Sequence, residues 1–472
     1  VIASWVRTVG AVITVGALAG CATVTVDRAM TDAQGAARDR VGVEVRRFDS
    51  DVQRQQLASE IERMLSKPLA ADDAVRVAMA NSPGFQAMLH ENAATMAAAV
   101  QSGRLINPVF TFDRLVRGGD IDIGRLLSFQ IVDLLTWPLR TQMASLRIEQ
   151  DKLKTAGDII ERAADARKAW IEAVASQQTL AYYRDVMTAA EASAELARRM
   201  QGVGNWSRLQ RAREQAFYAD AGVQLTRAQQ AHLAAREALV RLLGLDRMQA
   251  ARLQLPPRLP DLPGTPREPI AITQALLEDR LDVQAALRAL EHTAKLGGLT
   301  QVRSVVSRLE AGIVRNSETG APLQRGYEIE VPLPVFDPGD ALRAEMRSTY
   351  QATVYRTRQV LIDAQSQTVE AYGAYRAAYD VARHYRDEIV PLRKSIAEEN
   401  LLRYNGMLIG VFELLADARE QVGSVIQAIE AQREFWIADA MLQTTLIGRP
   451  EALPRMFEPA ARNPLGGGGA PH

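Results

Sequence analysis

Gly326-Tyr-Glu-Ile-Glu-Val-Pro-Leu-Pro-Val-Phe-Asp-Pro-Gly339 decides how this chain is read. In an extended segment Tyr327, Ile329 and Val331 fall on one face, and Glu328 and Glu330 on the other. A strand with lipid outside and water inside needs that alternation. A half-buried strand in a soluble sheet shows it too, so the surroundings must choose. Phe336-Asp-Pro-Gly339 closes the strand, and a helical pattern then runs from Ala341 to Asn405, with a kink expected at Pro391. It turns at Asn405-Gly406 and returns to Ile447.

The same order occurs earlier in the chain. Val109–Leu115 and Leu127–Val132 are candidate strands joined across Gly118-Gly119, as Leu309–Val314 precedes Gly326–Leu333. Trp137-Pro138 occupies the place of Phe336–Gly339, and Thr141–Gln201 is proline-free, roughly 90 Å of helix at 1.5 Å per residue. That helix turns at Gly202-Val-Gly-Asn205 and returns to Leu243. Gln86, Ala87 and Leu89 match Gln284, Ala285 and Leu287 at one offset, and Gly202 stands as far from Gly244 as Gly406 from Gly448. Residues 74–246 and 272–450 are therefore one architecture written twice. Its period exceeds that of the common solenoid repeats, so it is a duplicated half and not an array.

Six expected segments follow. Residues 1–20 hold Arg7 and an apolar stretch from Val9 to Ala19, the size of a signal-peptide core and too short to span a bilayer. Leu18-Ala-Gly-Cys21 resembles the bacterial lipobox, which makes Cys21, the only cysteine, the candidate lipidation site and excludes disulfides. Ala22 after it resembles an outer-membrane address. One acyl anchor is weak alone. Residues 21–68 are polar and mixed, a tether reaching a short helix near Leu57–Leu65. The first repeat, 69–254, opens with a helix over Ala71–Arg104, with Asp72 and Asp73 complementing its dipole and Asn107-Pro108 ending it. Leu255–Pro269 carries six prolines and forms a stiff linker. The second repeat is 270–450, and 451–472, with Gly466–Gly469, is a disordered tail.

Composition narrows the function classes. Lys plus Arg and Asp plus Glu are 56 each, so no sequence-wide charge draws the chain to nucleic acid. Aromatics are only 6%, and alanines such as Ala163, Ala166, Ala169 and Ala173 let long helices approach closely in a wall one layer deep. His90, His232, His292, His384 and His472 form no ligand-like pair, so neither metal nor other cofactor is expected. No nucleophile elbow or phosphate loop marks an enzyme.

Four strands cannot stand alone in a bilayer, because an open sheet leaves backbone groups unpaired in hydrocarbon. Copies of the chain must close the edges. Two would give eight strands, too narrow for a channel, and three would give twelve.

Taken together, the chain resembles the outer-membrane efflux protein (TolC-like) family, in its lipoprotein branch, from about Leu69 to Gly448. Ala74-Val-Arg-Val-Ala-Met-Ala-Asn-Ser-Pro83 is similar to the family's opening helix, and Val331–Gly339 to its strand-to-helix junction. Arg403-Tyr-Asn-Gly406 with Gly410-Val-Phe-Glu-Leu-Leu415 resembles its second tip, and Gly204-Asn-Trp-Ser207 its first. The resemblance implies a mostly α fold with a small antiparallel β part, in which a homotrimer forms a twelve-stranded membrane β-barrel above an α-barrel of helical hairpins. It implies a passive export duct in the outer membrane, lipid-anchored on the periplasmic side, with a periplasmic adaptor and an inner-membrane efflux pump as partners and no nucleic acid. Glu328 and Glu330 would face the lumen. Glu413 falls where relatives narrow the tunnel with carboxylates, though their second carboxylate matches Ala416 and the first-half counterpart is Gln210. Arg403 and Tyr404 sit where relatives hold the closed tip, and Trp206 would anchor the first tip or cover its own helix. The alternative, from a different class, is a pore-less coiled-coil lipoprotein that spans the periplasm as a spacer.

Overall fold

The computed structural model describes residues 21–48, 59–268, 278–305, 309–333 and 335–448. The expected signal peptide, the tail, and parts of the tether, linker and second-repeat start lie outside them. The chain forms two compact units, each drawing on both sequence halves. One comprises Val1–Ala36, Leu89–Gly157 and Leu277–Ala364, and the other Ala37–Met88, Asp158–Leu276 and Gln365–His472. The fold is mostly α with one small antiparallel sheet, as expected.

The first unit carries the sheet. Strands β1 (Val109–Arg117), β2 (Asp120–Gln130), β3 (Glu310–Glu318) and β4 (Gln324–Glu330) lie in the order β1-β2-β3-β4, antiparallel throughout. Gly118 (φ 65°) and Gly320 (φ 78°) take the left-handed conformations that the two hairpin turns require. Observed strands are displaced from expectation: β2 begins earlier and stops at Gln130, and β4 stops at Glu330, so Val331 and Leu333 follow the strand. Ile131 N still donates to Leu309 O (2.7 Å), the next rung beyond the Gln130–Glu310 pair, and at Ile131 the chain coils at once into a helix.

That helix, Ile131–Gly202, has 72 residues, roughly 110 Å, and contains Pro138 inside it where Trp137-Pro138 was expected to precede it. Its first turns cap another helix. Helix α2 is Ala71–Asn81 and α3 is Pro83–Ser102, following α1 (Cys21–Val41), and Ile131–Gly202 is α4. The single helix expected over Ala71–Arg104 is broken because Ser82, ahead of a proline, adopts ψ 116°. Trp137 Nε1 donates to Gly103 O (3.1 Å), and Arg140 Nη2 donates to Ser102 O (2.9 Å) and Arg104 O (3.2 Å). Those bonds satisfy carbonyls that the end of α3 leaves orphaned.

The segment read as a tether is largely helical. In α1, Ala29, Met30 and Ala33 are buried, and Asp32 meets Lys152 of α4 at 3.1 Å. Its alanines are small enough to pack closely, which the polar average of the segment concealed. A short helical stretch at residues 59–65 follows, near the place expected.

Helix α5 is Arg208–Leu243, α6 is Arg247–Arg252 and α7 is Leu281–Val305. The second long helix begins as α8 (Asp340–His384), passes through a π segment (Tyr385–Ile389), and continues as α9 (Val390–Asn405) before α10 (Val411–Ile447) returns. Pro391, expected to kink the helix, is absorbed by this π turn, in which Val390 N reaches Tyr385 O. The Asp337-Pro-Gly339 junction is equally specific. Asp337 Oδ1 accepts from Gly339 N, and a Cβ on Gly339 (φ 71°) would meet Ser304 O at 2.6 Å.

In the second unit the proline-rich linker is stitched down. Leu255, Leu259 and Leu262 are buried, and Trp436 Nε1 and Tyr379 OH donate to the carbonyls of Pro260 and Pro263 at 3.0 and 3.1 Å. Leu262 joins Tyr375, Tyr379 and Phe435 in an aromatic core between α8 and α10, with rings of Tyr379 and Phe435 edge-on at 5.7 Å.

Candidate functional site

The sheet has two chemically opposite faces. Residues paired across an antiparallel ladder share a face, so the register sorts every strand residue. On one face Phe110, Leu127, Ile313 and Tyr327 form one cross-strand row, and Phe129, Ala311 and Ile329 form the next. Except for the half-buried Ala311 these side chains are exposed, Tyr327 by 83% and Ile313 by 66%. The other face carries Asp113 on β1, Asp120 and Asp122 on β2, Glu310 and Glu318 on β3, and Glu328 and Glu330 on β4.

The acidic face is also the crowded one. Gly124, Ser128 and Gly312 lie on it and are buried, and a Cβ on Gly312 would meet Leu126 Cδ1 at 2.5 Å. Small residues at the middle of the acidic side are what a sheet curved toward that side requires, and Val109 and Leu115 stand exposed on the same side of β1. Both outer strands, β1 and β4, present unpaired edges among the described residues.

The two hairpin tips of the second unit share one backbone device. After α4, Gly204 N donates to Gln201 O (3.1 Å) and Asn205 N to Met200 O (2.9 Å); after α9, Met407 N donates to Tyr404 O (2.9 Å) and Leu408 N to Arg403 O (2.8 Å). Each is a Schellman turn, with the left-handed residue at Gly204 (φ 80°) and Met407 (φ 59°). Gly406 was expected to make the second turn, but its φ is −80° and Met407 takes the strained position. The structural match therefore pairs Gly204 with Met407, and not Gly202 with Gly406.

From there the tips diverge. Ser207 caps α5 in a capping box, its Oγ accepting from Gln210 N (3.2 Å) while Gln210 Oε1 accepts from Ser207 N (2.6 Å). At the equivalent place α10 has Gly410 as N-cap, without a side-chain bond, and Glu413 where Gln210 stands. Glu413 is exposed in the first turn of α10, where a carboxylate complements the helix dipole. Tyr404 and Arg403 are exposed too, while Trp206 is buried and its backbone N donates to Met200 O (3.2 Å). Hydrogen bonds from Arg198 and Arg199 hold the Glu195 carboxyl, about two helical turns before the first tip, down at about 2. Cys21 opens α1 at the edge of the described residues.

A buried charge cluster, unforeseen from the sequence, joins the two hairpins above their tips. Glu214 of α5 is 1% exposed; its Oε1 accepts from Arg419 Nη2 of α10 (2.6 Å) and its Oε2 from Ser193 Oγ of α4 (2.6 Å). The Arg419 guanidinium lies 4.4 Å over the Phe217 ring. Next to it Val186, Ala190 and Ala221 form a small core against which Phe217 and Val422 pack. The signal was present in the sequence: Glu214, Ala221 and Ala228 recur every seven residues on the buried seam of α5, and Arg419, Val422, Ile426 and Ile429 follow a 3-4-3 spacing on α10.

No protein-family model matches the chain, and no curated protein matches it by sequence. Solved structures do. The outer-membrane channel OprN is 16% identical with a TM-score of 0.66, covering 87% of this chain and 95% of its own. The Campylobacter jejuni CmeC outer membrane channel is 13% identical with a TM-score of 0.66, covering 85% and 88%. The chain has the TolC-like channel fold. The Neisseria gonorrhoeae MtrE outer membrane channel, in its open state, agrees with it at 15% identity and a TM-score of 0.65, covering 80% of this chain and 89% of its own. With identities this low the TolC-like likeness is one of fold. Among the described residues no helix is long and apolar enough to cross a membrane.

Proposed function

We propose that three copies of this chain form an outer-membrane efflux channel, a passive conduit and not a catalyst. The observation that carries this is the sheet: an exposed apolar face, a crowded acidic face and two open edges. In hydrocarbon each unpaired backbone group costs several kcal/mol, so the β4 edge of each copy must be joined to the β1 edge of the next. Twelve strands close with the acidic face inward, giving Glu328 and Glu330 to the lumen and the Tyr327 row to lipid. The fold shared with OprN, CmeC and MtrE supports the same assembly. An acyl group on Cys21 would add a periplasmic-side anchor. The hairpin tips, with Arg403, Tyr404, Gly406 and Gly410 on one and Gly202, Gly204 and Trp206 on the other, would meet a periplasmic adaptor, and through it an inner-membrane pump.

In that ring the three Glu413 carboxylates line the periplasmic mouth and favour cations. Purified full-length protein in planar bilayers is expected to show cation-preferring conductance, and Glu413→Gln to reduce the preference. Unchanged selectivity would remove Glu413 from the constriction. Absence of any conductance from protein that has inserted would leave the periplasmic spacer as the better account.

A further inference from the structure

The apolar face of the sheet is not apolar throughout. One row above Phe110, Leu127, Ile313 and Tyr327 the register places Arg125 and Arg315 with Arg325, and Arg114 stands one row further on the same face. Every acidic residue of the four strands lies on the opposite face. Arg114, Arg315 and Arg325 are exposed and Arg125 is half-buried, and none of the four guanidinium groups has an ion-pair partner among the described residues. Such a segregation has no purpose in a soluble sheet, where a cation gains from a carboxylate opposite it.

The position of the band matters as much as its charge. It lies toward the hairpin ends of the strands, away from the helices. From Arg325 the strand continues through Tyr327 and Ile329 to its end at Glu330, and the exposed Val331 and Leu333 follow it. A tilted membrane strand of about 9–11 residues crosses the hydrocarbon core. On this face β3 has Ser317 beyond Arg315 and β4 begins at Gln324, so on these two strands the arginines stand at the hairpin-side limit of the apolar rows, toward the interface where a lipid-facing cation costs less than at mid-depth.

We propose that Arg114, Arg125, Arg315 and Arg325 form a lipid-facing girdle that binds the phosphate groups of an anionic lipid leaflet. This rests on the channel reading of the sheet. The planar guanidinium suits phosphate, offering two parallel N–H donors to its oxygens, and the absence of acids on that face leaves all four free to make the contact. Repeated around a closed ring, the band would fix how deep the barrel sits and enrich anionic lipid at its outer rim.

The test uses the full chain reconstituted in phosphatidylcholine vesicles containing spin-labelled phosphatidylglycerol or spin-labelled phosphatidylcholine. The readout is the ratio of motionally restricted label, anionic over zwitterionic. The wild-type protein is expected to favour the anionic lipid about fivefold per contact, and the ratio is to survive added inorganic phosphate better than added high salt of monovalent ions would predict for free-ion exchange. The quadruple Arg→Gln variant is expected to fall to a ratio near one, and the quadruple Arg→Lys variant to keep part of the preference. Insertion is scored separately by resistance to carbonate extraction. A ratio near one for inserted wild-type protein, or an undiminished ratio in the inserted Gln variant, overturns the girdle while leaving the channel intact. If the Gln variant does not insert, Arg315→Gln and Arg325→Gln singly decide the matter by the same ratio. Failure of the wild-type chain to insert in any vesicle overturns the channel reading and the girdle together.

Discussion

Replacing Arg419 with Met leaves the Glu214 carboxylate buried with only the Ser193 hydroxyl as partner. Breaking a buried ion pair from one side costs about 3–5 kcal/mol, because the surviving charge cannot recover its hydration. The retained Ser193 bond of 2.6 Å moves the expectation to the lower end, about 3 kcal/mol, to which the lost stacking over Phe217 adds about 0.5–1 kcal/mol. At 1.4 kcal/mol per decade these roughly 3.5–4 kcal/mol amount to about three hundred- to seven hundredfold in a local opening constant. Native-state hydrogen exchange on the solubilised full chain reads it directly. Amides of α5 around Phe217 and Ala221, and of α10 around Val422, should lose that much protection while the aromatic core near Tyr379 and Phe435 keeps its own. The double variant Glu214→Leu with Arg419→Met should recover most of the loss, since an apolar pair of similar volume is often as stable as a buried ion pair. Loss of less than about fivefold in the single variant, or no recovery in the double, would refute the view that this pair clamps the hairpins.

Two further outcomes follow from single side chains. Ser207→Ala removes one half of the capping box at the first tip and should cost about 1 kcal/mol, seen as roughly fivefold faster exchange in the first turn of α5. Asp151 of α4 is buried with Oδ2 lacking a hydrogen-bond partner, and burial raises its carboxyl above the ordinary value despite Arg147 and Lys154. Its folded-state pKa therefore lies above the unfolded value, so the ionised group costs stability at neutral pH and that cost falls away as pH drops through the folded-state pKa. Asp151→Asn should raise the melting temperature near neutral pH, with the advantage closing as the pH approaches the ordinary carboxylate range; an advantage independent of pH would assign the effect elsewhere.

Much of this architecture was legible in residue order. The alternation of Tyr327, Glu328, Ile329 and Glu330 and the proline-free stretch after Thr141 each report a local preference that the chain then obeys, whereas at the second tip Met407 and not Gly406 takes the left-handed turn. Errors came where a local signal met a competitor. Trp137-Pro138 looked like a stop, yet the helix begins at Ile131 and carries Pro138 as its eighth residue, past the first turn where a proline is ordinarily tolerated. At Pro391 the expected interruption is present, and it takes the form of a π turn over Tyr385–Ile389. Residues 21–41 looked like a tether because polar residues outnumber its buried alanines, and a narrow seam was enough to make them a helix.

By itself the sequence determined the duplication, the four strand segments and the paired long hairpins, since periodicity, turn glycines and helix length are properties of neighbours in the chain. Tertiary structure alone decided which residues stand opposite one another. Only the register between strands from different halves brings Arg125, Arg315 and Arg325 into one row, and only the packing of α5 on α10 buries Glu214 against Arg419. Those partners are separated by up to some two hundred positions, and no local preference can encode a pairing that exists only once both halves have closed.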